Sequence, residues 1–402
     1  MERFLKIVKI GLVSIVIGLA VGLLVSLFAL ALFWCNSFRA TRQWLVLLLP
    51  FGGLFILAIH HAAKVDNPGG TNLVIERMHE KKYVRWVMTP LIFVSTLVSQ
   101  FFGASIGREA AALQIGGSFG STIGRLFKVP DSDSPIIIIS GMSAAFSALF
   151  GTPMAACVFA LEIEKGRVST PQAILPAAIS ALIARVIAGF LNVPFLIAEL
   201  NTSLPFNLET TGIVCFFGLC CAAASVIFSQ SIKYTKVLYK KLSKSKILPI
   251  LWSSLIIIAG TYLVGDQTYN GAGTETILAC LTNASLRLAW YVCVLKLLFT
   301  CISLGGGFQG GEIIPALFVG ATFGNFYAQI FSVDVVVFAA LGMIGMFCGI
   351  TKCPLASLLL AVELFGFVTP EFFLLVVGIS LIASGKFRIY SQQQLGFLER
   401  IW

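Results

Sequence analysis

Residues 103–117, GASIGREAAALQIGG, place an Arg–Glu pair within an apolar and glycine-rich part of the chain. Ionisable side chains at membrane depth are costly and usually face a cavity or a pathway. Gly107 permits a tight turn before the pair, and Ala110 and Ala111 after it favour a helix. A helix that begins at mid-depth leaves N–H groups unpaired in its first turn, and these attract anions. The stretch therefore predicts an anion site at a helix start, which the carboxylate of Glu109 is able to occupy.

The rest of the chain has the composition of a membrane protein. Of its 402 residues, 58% are hydrophobic and 11% are charged, whereas soluble domains carry about 25% charged residues. Residues 10–33 form an apolar run longer than the roughly 20 residues that span a bilayer, and further apolar runs follow. The sequence therefore predicts an all-α, polytopic membrane protein that lies in the lipid bilayer.

The charge and the cysteines do not indicate another kind of function. The formal net charge is +10, and lysines cluster between apolar blocks, as in a cytoplasmic loop, over residues 233–246. This cluster is a connection between membrane segments, so no nucleic-acid partner is expected. The ten cysteines lack CxxC spacing and the three histidines lack metal-ligand spacing. We therefore expect no metal and no cofactor.

Two other turns carry helix-start signals. Residues 68–72, PGGTN, predict the start of a helix too short to span, pointing at a buried site; a surface loop is the alternative. Residues 305–315, GGGFQGGEIIP, place Glu312 in a glycine-rich turn before an apolar helix. The second turn therefore resembles the stretch around Glu109.

The two glycine-rich stretches belong to an internal repeat. Positions 204 apart match in one block and positions 201 apart in the next, including Gly107 with Gly311, Phe119 with Phe323, Pro153 with Pro354 and Glu162 with Glu363. The chain is therefore expected to be a single transmembrane domain over residues 1–402, with halves of about 1–207 and 208–402. In transporters, inverted-topology repeats with broken helices commonly enclose a midplane site, and we expect a midplane anion site here.

Three elements in this order resemble the CLC family of anion channels and anion/proton antiporters. Residues 107–111, GREAA, are similar to its Gly-Arg-Glu-Gly motif, and residues 296–315 to its Lys-Leu-Leu…Gly-Gly-x-x-x-Pro stretch. Residues 385–391 are similar to the segment that carries the family's central tyrosine. The resemblance implies a homodimer with one pore in each subunit, in the cell membrane (a bacterial inner membrane). No soluble regulatory domain is expected.

The resemblance also implies roles for individual residues. Glu109 would be the gating glutamate, which gives way to an anion when it is protonated. Glu312 would handle the proton or support its turn by hydrogen bonds. The other expected anion-binding positions are Thr71, Asn72, Gly107, Arg108, Gly311, Ile313, Ile314 and Tyr390.

The turns at residues 69–73 and 311–315 depart from the chloride pattern and resemble the fluoride/proton antiporter branch, which places a glutamate at the Glu312 position. Ile163 stands where the chloride antiporters carry an internal proton glutamate. We therefore expect fluoride export in exchange for protons. Four residues differ from that branch, so the alternative is a chloride/proton antiporter or a passive chloride channel; they are Thr71, Ala110, Ala111 and Ile314.

A membrane enzyme that uses Glu109 and Glu312 as an acid pair is the hypothesis from a different class. The chain contains no HExxH or GxSxG motif. We therefore expect that the protein is not an enzyme.

Overall fold

The computed structural model describes residues 2–65, 69–165 and 170–395, with side chains from residue 5 onward. Pro68, from the expected helix-start signal, lies outside this part of the chain. Three short 3₁₀ helices and no β-strand occur in the described ranges. The α-helices there are α1 (Glu2–Ala40), α2 (Leu49–Ala62), α3 (Thr71–Glu80), α4 (Met88–Phe101), α5 (Glu109–Leu126), α6 (Ser134–Phe150), α7 (Pro153–Glu162), α8 (Ile174–Phe190), α9 (Leu208–Leu242), α10 (Ile247–Val264), α11 (Thr274–Thr282), α12 (Tyr291–Gly306), α13 (Ile313–Phe331), α14 (Val335–Thr351), α15 (Pro354–Phe365) and α16 (Pro370–Ala383).

The helices α1–α8 correspond in order to α9–α16. The first helix of each set is the longest, with 39 and 35 residues, and the third is short, with 10 and 9 residues. The fifth helix of each set, α5 and α13, begins at its glycine-rich turn. The prediction of an all-α protein built from two repeats is confirmed.

Several helices meet the requirements for crossing a bilayer. Seven segments of the described chain are long and apolar enough: Leu5–Ala40, Gln43–Ala62, Asp131–Phe150, Pro171–Phe190, Leu208–Leu242, Ile247–Val264 and Ile313–Phe331. Shorter apolar helices such as α4, α7 and α12 lie between them. The chain is therefore a multi-pass membrane protein, as its composition predicts.

Equivalent glycine crossings join α5 to α6 in the first repeat and α13 to α14 in the second. A methyl group on Gly116 in α5 would overlap the carbonyl oxygen of Gly141 in α6. In the second repeat, a methyl group on Gly320 in α13 would overlap the carbonyl oxygen of Gly342 in α14. Small residues let helix backbones approach closely in membranes. The repeated glycines of the sequence therefore fix the same helix crossing twice.

The repeats also exchange helix caps. Glu162, at the end of α7, accepts hydrogen bonds from the amides of Leu355 (3.3 Å) and Ala356 (2.9 Å) in the first turn of α15. Glu363, near the end of α15, accepts them from Met154 (2.9 Å) and Ala155 (2.7 Å) in the first turn of α7. Each carboxylate thus satisfies amides at a helix start that the helix itself leaves unpaired.

Candidate functional site

The two glycine-rich turns meet at equivalent residues. The amide of Gly107 donates to the carbonyl of Gly311 (2.6 Å), and the amide of Gly311 donates to the carbonyl of Gly107 (2.9 Å). This isolated antiparallel bridge pairs the two positions that the repeat makes equivalent. Because the two residues exchange both hydrogen bonds, a local two-fold axis passes between them. The starts of α5 and α13 are therefore brought to one point inside the protein.

The carboxylate of Glu109 lies between these two helix starts. The amide of Ile314, in the first turn of α13, donates to Oε2 at 3.1 Å, and the amide of Arg108 donates to Oε1 at 3.1 Å. The side chain is fully buried. Amide groups at a helix start hold a negative charge through their dipoles. One carboxylate oxygen therefore occupies a position at α13 that suits a small anion.

The space for this carboxylate depends on the two bridge glycines. A methyl group on Gly311 would lie 2.6 Å from Oε2 of Glu109, and one on Gly107 would overlap the same oxygen. No other residue type leaves this space open, because every other side chain begins with a β-carbon. The bridge glycines therefore form the walls of the carboxylate position.

Four carbonyls of the turn before Glu109 have a hydrogen-bond donor. Nε2 of Gln100 lies 3.2 Å from the carbonyl oxygens of both Ile106 and Gly107. Nδ2 of Asn270 donates to the carbonyl of Gly103 (2.7 Å), and the amide of Gly271 donates to that of Ala104 (3.1 Å). Satisfied backbone groups give the buried turn a single defined shape.

The hydroxyl groups of Thr71 and Tyr390 face each other near this site. Both side chains are buried, and the two hydroxyls interact with each other, although their geometry falls short of a hydrogen bond. Neither has a hydrogen-bond partner in the described part of the chain. The Tyr390 hydroxyl is also in electrostatic range of Glu109 and Glu312. Buried polar groups are normally satisfied, so the pair points to a ligand that accepts hydrogen bonds.

The side chain of Asn72, unlike that of Thr71, has hydrogen-bond partners. Its side-chain oxygen accepts from the amide of Gln392 (3.1 Å) and the hydroxyl of Ser391 (3.4 Å). It therefore ties the start of α3 to the segment that carries Tyr390. The start of α3 also has the glycine conformation that the sequence suggests, with a φ of +61° at Gly70.

Glu312 precedes the first turn of α13 and is only partly buried. Within the described residues no side chain hydrogen-bonds its carboxylate. The charges in electrostatic range are Lys236, on the lysine-rich end of α9, and Glu109. Ile313, the first residue of α13, is buried beside Glu312.

The Arg108 side chain does not pair with Glu109. Its guanidinium is buried, its Nε has no hydrogen-bond partner in the described part of the chain, and no carboxylate there lies within 4.0 Å of it. The contact with Glu109 is made by the backbone amide of Arg108 instead. The described residues also contain no group of three or more side chains able to hold a metal.

The supporting residues around the turn are not among the site residues predicted from the sequence. Gln100 ends the apolar helix α4, and Asn270 lies in the loop between α10 and α11. A polar amide such as Gln100 at membrane depth is itself a signal, since such groups are costly there. Asn270 offers no such signal, because it lies in a polar loop and its partner Gly103 is distant in sequence.

Comparison with known proteins agrees with these features. A family model described as voltage gated chloride channel matches residues 58–385. A chloride/fluoride channel protein of Pseudomonas syringae is 30% identical over 396 residues, which cover 96% of this chain and 85% of that protein. An H⁺/Cl⁻ exchange transporter ClcA of Vibrio parahaemolyticus is 25% identical over 332 residues, covering 79% of this chain and 70% of that protein.

Two solved structures are similar over nearly the whole chain. A CLC-type fluoride/proton antiporter superposes with a TM-score of 0.92 at 29% identity, over 96% of this chain and 97% of the other. A slow cyanobacterial Cl⁻/H⁺ antiporter superposes with a TM-score of 0.80 at 18% identity, over 98% and 97% of the two chains. At 18% identity, the second similarity concerns the fold alone.

Proposed function

Because this chain belongs to the voltage-gated chloride channel (CLC) family, we propose that it is an anion/proton antiporter that exports fluoride in exchange for protons. The observation that carries this proposal is the carboxylate of Glu109 on the amide of Ile314, at the start of α13. There the carboxylate stands in for the transported anion. Members of the family are transporters, so Glu109 and Glu312 act on ions rather than as a catalytic pair.

Protonation of Glu109 couples the two ions. As a carboxylate, Glu109 accepts from the amides of Arg108 and Ile314 and fills the space between Gly107 and Gly311. A protonated carboxyl group attracts these helix-start amides less strongly, because its negative charge is lost. It then leaves, and an anion takes its place. The anion and the proton therefore use one position in turn, which links their movements.

The hydroxyls of Thr71 and Tyr390 form the neighbouring anion position. Both are buried without a partner in the described chain, and each has a hydrogen to donate. Asn72 supports this position by holding the Tyr390 segment through Gln392. Gly311, Ile313 and Ile314 line the side toward Glu109.

Glu312 hands protons between Glu109 and the lysine-rich side of the protein. Its carboxylate is partly buried and lies within electrostatic range of both Glu109 and Lys236. The positive-inside rule assigns the lysine-rich end of α9 to the cytoplasm. Glu312 is therefore reached from the cytoplasm while it remains near Glu109.

Fluoride is the proposed anion because of the two glycine-rich turns and the similar proteins. The relative from Pseudomonas syringae is named for chloride and fluoride, and a structure at 29% identity is a fluoride/proton antiporter. Fluoride is small and strongly hydrated, so it needs close donors such as the Thr71 hydroxyl and the helix-start amides. Chloride/proton exchange is the second candidate, favoured by the similarity to the ClcA exchanger.

Anion efflux from liposomes distinguishes these candidates. Purified protein is reconstituted with equal internal fluoride and chloride, and each ion is followed with its selective electrode. We expect fluoride to leave faster than chloride and protons to enter with it. Equal rates for the two halides would contradict the assignment of fluoride. Halide efflux without proton movement would instead indicate a passive channel.

The assembly completes the proposal. Residues 1–402 act as one transmembrane domain of two halves, and two copies form a homodimer in which each subunit has its own pathway. The bacterial sources of the similar proteins support an inner-membrane location. Light scattering in detergent tests the dimer, with an expected protein mass of twice 43.3 kDa.

A further inference from the structure

Lys296 is a fully buried lysine in α12, one turn and a half from the helix start. Its Nζ donates to the carbonyl oxygens of Gly271 (2.8 Å) and Tyr269 (3.2 Å) and lies 5.2 Å from the centre of the Phe318 ring. No carboxylate of the described residues lies within 4.0 Å of it. A buried ammonium group is costly, and here backbone carbonyls and a ring face stabilise it instead of a counter-ion.

The two carbonyls belong to the loop between α10 and α11, and this loop contacts the turn before Glu109. The carbonyl of Gly271 accepts from Lys296, and the amide of Gly271 donates to the carbonyl of Ala104 (3.1 Å). Asn270, between the two carbonyls, donates to Gly103 (2.7 Å). Lys296 and the turn are thus on opposite sides of the same three residues.

The turn is connected to the position of Glu109 through the backbone. It continues directly into Gly107, which makes the bridge to Gly311, and into Arg108, whose amide binds the carboxylate. Movement of the carbonyls at Gly103 and Ala104 would therefore shift both the bridge and the amide. Hydrogen bonds link Lys296 through residues 269–271 to residues 103–104, and the backbone continues from there to the carboxylate position.

We propose that Lys296 is a positioning residue of the exchange cycle, which holds the loop 269–271 against residues 103–104 and so fixes the site of Glu109. This inference rests on the proposed function for its effect on transport. Its structural part, the link from Lys296 to Gly107, does not depend on which anion is transported.

Hydrogen exchange measured by mass spectrometry tests the structural link. Lys296→Met keeps the length of the side chain and removes its donors, whereas Lys296→Arg keeps a cation. In Lys296→Met we expect amide exchange to rise about tenfold or more at Gly271 and also at Gly107, the change for losing hydrogen bonds to a charged group. Lys240→Met, at an exposed position on α9, is the control and should leave both amides unchanged. Faster exchange at Gly271 with unchanged exchange at Gly107 would overturn the proposal.

Transport measurements test the functional part. We expect Lys296→Met to move fluoride with a lower proton-to-fluoride ratio than the wild type, and Lys296→Arg to restore the ratio. A Lys296→Met protein with the wild-type ratio would contradict a positioning role. If the wild type itself exchanges no protons for fluoride, the proposed function fails, and the exchange rate at Gly107 still decides whether Lys296 fixes the turn.

A second variant provides the test if Lys296→Met does not fold. Asn270→Ala removes the donor to Gly103 and leaves Lys296 in place. It should raise amide exchange at Gly107 and lower the proton-to-fluoride ratio, as we expect for Lys296→Met. Wild-type values of both quantities in Asn270→Ala would overturn the link between this loop and Glu109.

Discussion

At the residue scale, the position of Glu109 is defined by two glycines as much as by its donors. Gly107 and Gly311 leave open the space that the carboxylate fills, and their mutual bridge keeps the starts of α5 and α13 together. A larger side chain at either position would displace the carboxylate from the amide of Ile314. In the proposed exchange, the coupling of anion and proton therefore depends on residues that carry no functional group.

Gly311→Ala is predicted to uncouple transport. The added methyl group would lie 2.6 Å from Oε2 of Glu109, so the carboxylate must leave its position, at a cost of about 1–3 kcal/mol in unfolding free energy. The proton-to-fluoride ratio in liposomes should fall. Gly212→Ala on α9 is the control, since a methyl group there meets no atom within 4 Å. Wild-type coupling in Gly311→Ala would show that Glu109 does not need this space.

Removal of the unpartnered hydroxyls is predicted to weaken anion binding without destabilising the fold. Tyr390→Phe and Thr71→Val each delete a donor that bonds nothing in the described protein. A hydrogen bond to a charged partner contributes about 1.5–3 kcal/mol, so each change should weaken halide binding by about tenfold or more. Calorimetric titration with fluoride and chloride measures this.

Tyr327→Phe is the matched control for this prediction. The Tyr327 hydroxyl donates to the carbonyl of Ile213 at 2.9 Å, so its loss should lower stability and leave halide affinity unchanged. Equal halide affinity in Tyr390→Phe and the wild type would exclude the Tyr390 hydroxyl from the anion position.

The sequence points to some of these residues and not to others. Glu109 and Glu312 are identifiable because an acid is costly at membrane depth, and Tyr390 because it matches a family segment. Gln100 is a polar residue in an apolar helix and Lys296 begins a family stretch, so the sequence marks both, but it does not show what they bind. Their hydrogen-bond partners, like that of Asn270, lie in turns whose position is a product of the fold. The sequence pattern around Asn270 contains no information about Gly103, which lies 167 positions away.

At the element scale, the short helices α7 and α15 are stabilised by each other. Glu162 satisfies two amides at the start of α15, and Glu363 satisfies two amides at the start of α7. The repeat pairs these glutamates in the sequence, but this pairing does not reveal the cap. That cap joins residues about 200 positions apart, and only the antiparallel packing of the two helices brings it about.

Glu162→Ala and Glu363→Ala are predicted to lower stability and to leave ion coupling intact. Each change leaves two amides at a helix start without an acceptor, which costs about 1–3 kcal/mol. The thermal unfolding midpoint in detergent should fall for both variants. Glu209→Ala is the control, because Glu209 is an exposed acid in the first turn of α9. Unchanged midpoints in both variants would contradict the capping role. A proton-to-fluoride ratio below that of the wild type would instead assign these acids to the proton route.

At the scale of the whole molecule, the inverted repeat places two helix starts at one point. Offsets of 204 and 201 between matching residues predict two related halves, and the structure adds the bridge between Gly107 and Gly311 on their local axis. The all-α class and the repeat follow from apolar run lengths and glycine spacing, which are local. The meeting of the two turns cannot be predicted from local sequence features, because it depends on how all sixteen described helices pack.

The central claim is that one position serves Glu109 and the anion in turn. It is tested most directly by proton uptake into liposomes that hold an outward fluoride gradient, for the wild type and for Glu109→Gln. The glutamine has nearly the same shape but carries no proton in the cycle. We predict that the wild type drives protons inward as fluoride leaves, whereas Glu109→Gln moves no protons. Proton uptake by Glu109→Gln at the wild-type ratio would contradict the account.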